Sequence, residues 1–91
     1  MKKLTLFYLE SCPYCVNARK ALVDLGKEKA EYAAAGIEWI EESRQPSLAE
    51  QYDYYYVPTV FLDGEKLYEA HPGESFDACK EELRKCLDKV I

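Results

Sequence analysis

The hydrophobic pattern changes period several times along this chain, and each change marks an element. Residues 3–8, KLTLFY, are rich in β-forming side chains and stop at the Glu10-Ser11 break, which predicts a buried strand. From Cys15 onward Ala18, Leu22 and Leu25 recur at helical spacing, while Asn17, Arg19, Lys20 and Asp24 fall elsewhere on the wheel. The helix is expected to begin at about Pro13, a first-turn position where the missing N–H leaves no bond unmade, with Ser11 as its N-cap. Gly26 offers a stop, yet KEKAEYAAA after it forms helix so readily that helix should continue or resume up to Gly36. IEWIE, residues 37–41, alternates apolar with acidic and reads as a second strand, parallel to the first through a right-handed crossover.

Pro46 and Ser47 open a short helix reaching about Tyr52. Two β-type runs, Thr59–Leu62 and Lys66–Glu69, then flank Asp63-Gly64, a dipeptide suited to a tight hairpin turn. HPGES closes the hairpin with turn formers, and Ser75 is the expected N-cap of a last helix. On that helix Phe76, Cys79, Leu83, Cys86, Leu87 and Val90 lie within an arc of roughly 100°. The order β-α-β-α-β-β-α is that of an α/β protein, a four-stranded mixed sheet flanked by helices.

Ninety-one residues, 48% hydrophobic and 32% charged, suffice for one modest core, so residues 1–91 are expected to form a single domain. No apolar run approaches the roughly 20 residues of a membrane span. The stretch after Met1-Lys2-Lys3 ends at Glu10, too short for a signal peptide and without a cleavage site, so a cytoplasmic monomer is expected. With 17 acidic against 12 basic residues the net charge is −5, and the basic residues do not cluster, which excludes an electrostatic nucleic-acid binder. Four cysteines without an export signal favour working thiols over a disulfide framework.

Cys12 and Cys15 stand at the start of the first helix. There the unpaired N–H groups and the positive end of the helix dipole favour thiolate over thiol, which makes Cys12 the candidate nucleophile. Cys15, nearly one turn on and deeper, is the candidate resolving thiol, placed to attack a mixed disulfide on Cys12. A structural disulfide is the bland alternative. A zinc half-site would need two more ligands from His71, Cys79 and Cys86, but Cys79 and Cys86 lie about 10 Å apart along one helix and read as core residues. No metal is expected, and His71 reads as a turn residue. Tyr56, with Tyr54, is a candidate aromatic rim for a partner protein; the acidic residues of IEES and KEEL read as solvated faces.

The run Cys12-Pro13-Tyr14-Cys15 after a first strand resembles the active site of dithiol glutaredoxins, within the thioredoxin superfamily. Val57-Pro58 before a strand resembles the superfamily's cis-proline loop, and the Gly73 turn resembles the one preceding its last helix. The resemblance implies a thioredoxin-like fold and a thiol-disulfide oxidoreductase that reduces protein disulfides or glutathione mixed disulfides. It implies a cis Pro58 opposite the thiols, and a Val57 backbone free to pair with an extended substrate. Tyr56, Val57, Pro58, Gly73, Glu74 and Ser75 then line the substrate groove. Leu9 stands where the family commonly has lysine, Tyr56 where it often has threonine, and Pro72-Gly73-Glu74-Ser75-Phe76 replaces its paired glycines, with Asp77 one place late. Those departures leave two candidate electron donors, glutathione as co-substrate or a thioredoxin-type flavoprotein reductase, and no bound cofactor is expected. In a different class, the resemblance also allows an iron–sulfur module held by Cys12 of two subunits with glutathione, against which Pro13 argues.

Overall fold

Leu4 and Leu6 leave the first strand on one side and Phe7 on the other, so this strand has to be covered on both faces. The computed structural model describes residues 3–91; Met1 and Lys2, the charged start of the chain, lie outside the described residues. Strand β1 (Lys3–Tyr8) is central. It runs parallel to β2 (Gly36–Glu41), with Leu4 opposite Ile37 and Leu6 opposite Trp39, and antiparallel to β3 (Thr59–Leu62). Strand β4 (Glu65–Glu69) returns against β3, giving the order β2-β1-β3-β4.

Helices α1 (Pro13–Glu28) and α4 (Phe76–Asp88) cover one face. Ala18, Ala21 and Leu25 of α1 and Cys79, Leu83, Cys86 and Leu87 of α4 pack there on Leu4, Leu6, Val60, Leu62 and Tyr68. The opposite face is smaller. Phe7, Ile40 and Phe61 are covered by Leu48 and Ala49 of the short helix α3 (Pro46–Ala49) and by Tyr52, Tyr54 and Val57 of the loop after it. Turn bonds from Gln51 N–H to Leu48 O and from Tyr52 N–H to Ala49 O carry the chain beyond α3.

The first helix passes through Gly26, breaks at Lys29, whose backbone is extended (φ −151°, ψ 124°), and resumes as α2 (Ala30–Ala34). Gly26 serves close approach here, since a Cβ on it would lie 3.3 Å from the Ala33 Cβ. The Tyr32 hydroxyl donates to Asp88 Oδ1 at 2.6 Å, tying α2 to the end of α4. Beside it, Arg84 Nη1 and Lys80 Nζ each sit 2.7 Å from Glu28, and these bonds hold its carboxyl down to about 2. The hairpin turn has Asp63 and Gly64 at φ 51° and 84°, the left-handed region that such a turn demands. Ser75 caps α4, its Oγ accepting the Ala78 N–H at 3.1 Å, and Val90 packs on the core just past the helix end.

Candidate active site

The N-cap of α1 is Cys12, in extended conformation (φ −82°, ψ 122°), and not Ser11 as the residue preference suggested. Because Pro13 occupies the first helical position, the cap falls on the residue immediately before it. The thiol makes no capping bond, so it is free to point away from the helix. Cys12 Sγ instead lies 3.5 Å from the Val57 carbonyl, which accepts from it across the cleft. The Val57-Pro58 bond is cis and Pro58 is buried, its carbonyl accepting the Ala70 N–H at 3.0 Å.

Cys15 sits one turn into α1 and is buried. The backbone of Leu9 organises both cysteines: its carbonyl accepts the Cys12 N–H at 3.2 Å, and its N–H donates to Cys15 Sγ at 3.4 Å. Burial pushes the Cys15 thiol up to about 12; the Leu9 N–H pulls the other way, and neighbouring Cys12 and Glu42 add to the rise. All four cysteines are free thiols, so the pair is in its dithiol form.

Tyr14 reaches across the molecule, its hydroxyl accepting the Gly73 N–H at 2.8 Å, and so fastens the motif to the turn before α4. Beyond Gly73 the side chains of the turn are held by partners within the protein. The Glu74 carboxylate is buried and accepts the Tyr68 hydroxyl, and the Ser75 hydroxyl is occupied in capping α4. Glu74, expected to line the substrate groove, has its side chain buried against Tyr68. Burial also drives the Tyr68 hydroxyl pKa upward, as does its bonding to Cys79 and Glu74. His71 is exposed, with Nε2 3.9 Å from Glu74 Oε1.

The tyrosine run divides. Tyr52 and Tyr54 belong to the smaller core cluster, their ring centroids 4.7 and 5.1 Å from that of Phe7. Tyr54 therefore leaves the expected rim. Its hydroxyl donates to Glu42, and burial followed by that bond raises its pKa. Glu42 is accordingly a partly buried acceptor as well as a surface carboxylate. Tyr55 and Tyr56 stay exposed, and both of their N–H groups donate to Glu69 Oε2, at 2.6 and 2.8 Å. Burial would raise the Glu69 carboxyl, but Lys66 and these two donors hold it below its ordinary value.

Sequence reasoning missed Glu69, Glu42 and the Tyr14 to Gly73 bond. No local signal announces them, since each partner lies at least 12 residues away along the chain. Cys79 and Cys86 are buried in the main core, where burial raises both thiols, Cys86 to about 12. Among the described residues no group of three or more His, Cys, Asp or Glu side chains converges to hold a metal, and no helix is long and apolar enough to cross a membrane.

Comparison with known proteins agrees with this geometry. The chain is 27% identical over 85 residues to a thioredoxin of Methanocaldococcus jannaschii, an alignment covering 93% of this chain and 95% of that one. A thioredoxin-like protein from Clostridium perfringens superposes with a TM-score of 0.61 at 30% identity, over 99% of this chain and 71% of that chain. Thioredoxin 1 from Thermosipho africanus shares the fold at 19% identity, with a TM-score of 0.60 over 96% of each chain. The glutaredoxin family model matches residues 4–67, a span that contains both cysteines of the motif and the cis-proline loop. The chain therefore has a thioredoxin fold and belongs to the glutaredoxin family, whose members are thiol-disulfide oxidoreductases.

Proposed function

We propose that the protein reduces disulfides by cycling Cys12 and Cys15 between dithiol and disulfide. The observation that carries this reading is the unequal placing of the two thiols: Cys12 half-buried beside the Val57 carbonyl, Cys15 buried directly behind it. Cys12 attacks one sulfur of the substrate disulfide, forming a mixed disulfide and expelling the other substrate sulfur as a thiol. Cys15 then gives up its proton and attacks the Cys12 sulfur, releasing the second substrate thiol and leaving the Cys12–Cys15 disulfide. Two electrons from glutathione or from a thioredoxin-type reductase restore the dithiol.

Burial keeps Cys15 protonated at neutral pH, so the second step follows the first and does not compete with it. Pro13 starts α1 and Tyr14 ties the motif to Gly73, which holds the two thiols in register. Among the described residues the Val57 N–H has no protein partner, which suits pairing with an extended substrate segment beside Pro58. Protein disulfides are the proposed substrates. Leu9 supplies no cation, the Glu74 carboxylate is buried against Tyr68 and the exposed Ser75 hydroxyl is taken up in capping α4, so glutathione meets few charged partners here. The cycle needs no bound cofactor and runs in a monomer. A reducing cytoplasm suits a chain whose Cys79 and Cys86 are also free.

Two variants test the cycle. Cys12→Ser should abolish turnover of every disulfide, whereas Cys15→Ser should accumulate mixed disulfides visible by mass spectrometry and retain at most one-thiol reactions. Unchanged turnover in Cys12→Ser would reject the mechanism. Parallel assays with glutathione plus glutathione reductase, and with thioredoxin reductase, identify the electron donor.

A further inference from the structure

The loop before the cis-proline carries two rings that the core does not take up. Tyr55 is 88% exposed and Tyr56 51%, while Tyr52 and Tyr54 on either side of Asp53 fold onto Phe7 and Phe61. Their backbone is not loose. Glu69 Oε2 accepts the N–H of Tyr55 at 2.6 Å and of Tyr56 at 2.8 Å, and Glu69 Oε1 takes Lys66 Nζ at 2.7 Å. Bonds to an ionised carboxylate are the stronger kind, so the loop is pinned to β4 with both rings facing outward. The next residue is Val57, whose carbonyl is the contact of Cys12 Sγ.

The charges around the rings have one sign in excess. Lys66 is the cation here and is taken up by Glu69, which leaves the exposed Asp53 carboxylate, close enough to act on Lys66, in excess. Exposed aromatic faces attract guanidinium and ammonium groups, and a carboxylate in excess beside them strengthens the attraction.

We propose that Tyr55 and Tyr56, held outward by Glu69, form a docking surface for the basic flank of a protein disulfide. The partner is an extended segment with Arg or Lys within a few residues of the cysteine that Cys12 attacks. Its backbone runs beside Val57 and its cationic side chains lie over the two rings. This rests on the exchange reading above and names the substrate class for it. Small disulfides, which have no such flank, gain nothing from the surface.

The test uses two peptide disulfides of the same length, one flanked by Arg and one by Glu, together with a small neutral disulfide. Wild type should favour the Arg peptide by about threefold or more in kcat/KM, the size expected from exposed cation–π contacts, with the difference residing in KM. The preference should shrink as ionic strength rises. In the Tyr55→Ala, Tyr56→Ala variant the ratio of the two peptides should fall toward one, and in Tyr55→Phe, Tyr56→Phe it should survive, because the ring faces remain. Circular dichroism shows that each variant is folded. Equal kcat/KM for the two peptides in wild type, or a preference that persists in the alanine variant, overturns the docking surface while turnover of the neutral disulfide leaves the exchange cycle standing. Absence of turnover with all three substrates overturns the cycle and the docking surface with it.

Discussion

Cys15, Cys79 and Cys86 are each 2% exposed, and burial raises all three, Cys15 and Cys86 to about 12 from an ordinary value of 9.0. In the unfolded chain these thiols ionise from about pH 9, whereas in the folded chain they keep their protons. Their contribution to stability is therefore complete below pH 9 and is lost as pH rises toward 12. Cys86→Ala should flatten that alkaline fall, which urea melts of wild type and variant at neutral pH and at successive steps above pH 9 would show; parallel slopes would contradict the assignment. At this scale the two-residue spacing and the helix start made Cys12 and Cys15 legible, since both signals are local. Glu74 and Tyr54 were not legible, because their surroundings depend on Tyr68 and Glu42, which only the folded sheet brings to them.

The hairpin between β3 and β4 turns on two residues at positive φ, Asp63 at 51° and Gly64 at 84°. A Cβ on Gly64 would meet nothing within 4 Å, so Gly64→Ala is opposed by backbone strain alone, worth roughly 1–2 kcal/mol. A chemical melt should register that loss with activity retained in the folded fraction; a neutral effect would mean that the turn relaxes to another type. The elements themselves were largely written in periodicity. KLTLFY, IEWIE and the Asp63-Gly64 hairpin pair as strands where their patterns put them. Of the two courses left open after Gly26, the chain takes resumption, breaking at Lys29, and the missing Cβ of Gly26 lets α2 approach at Ala33. Ser11 failed as a cap because Pro13 sets the helix start and leaves that role to Cys12.

Across the whole molecule the helical layer is joined by polar bonds: Glu28 to Lys80 and Arg84 between α1 and α4, and Tyr32 to Asp88 between α2 and α4. Bonding to Arg84, then to Lys80, lowers the Glu28 carboxyl from 4.5 to about 2, so its stabilisation is present above pH 4.5 and lost as pH falls toward 2. Glu28→Gln should lower Tm at neutral pH and leave a shallower decline between those two values. Calorimetry across that range checks it, and identical acid limbs would show that the bond contributes nothing measurable. The family match ends at residue 67, short of α4, yet α4 supplies one partner of all three of these bonds and much of the main core.

The sheet is clothed unequally: three helices lie on the side of Leu4 and Leu6, while one short helix and the tyrosine loop lie on the side of Phe7. That loop leads directly into Val57, beside the attacking sulfur. The segment proposed to meet a client is thus separated by the full thickness of the sheet from most of the packing that keeps the chain folded. Within it Tyr52 and Tyr54 are bound to the smaller core, but the exposed side chains of Tyr55 and Tyr56 can change with little penalty to the folded state. Among descendants of such a scaffold, new clients would be acquired by rewriting these two exposed positions while the thiols, and the helices behind them, are inherited unchanged.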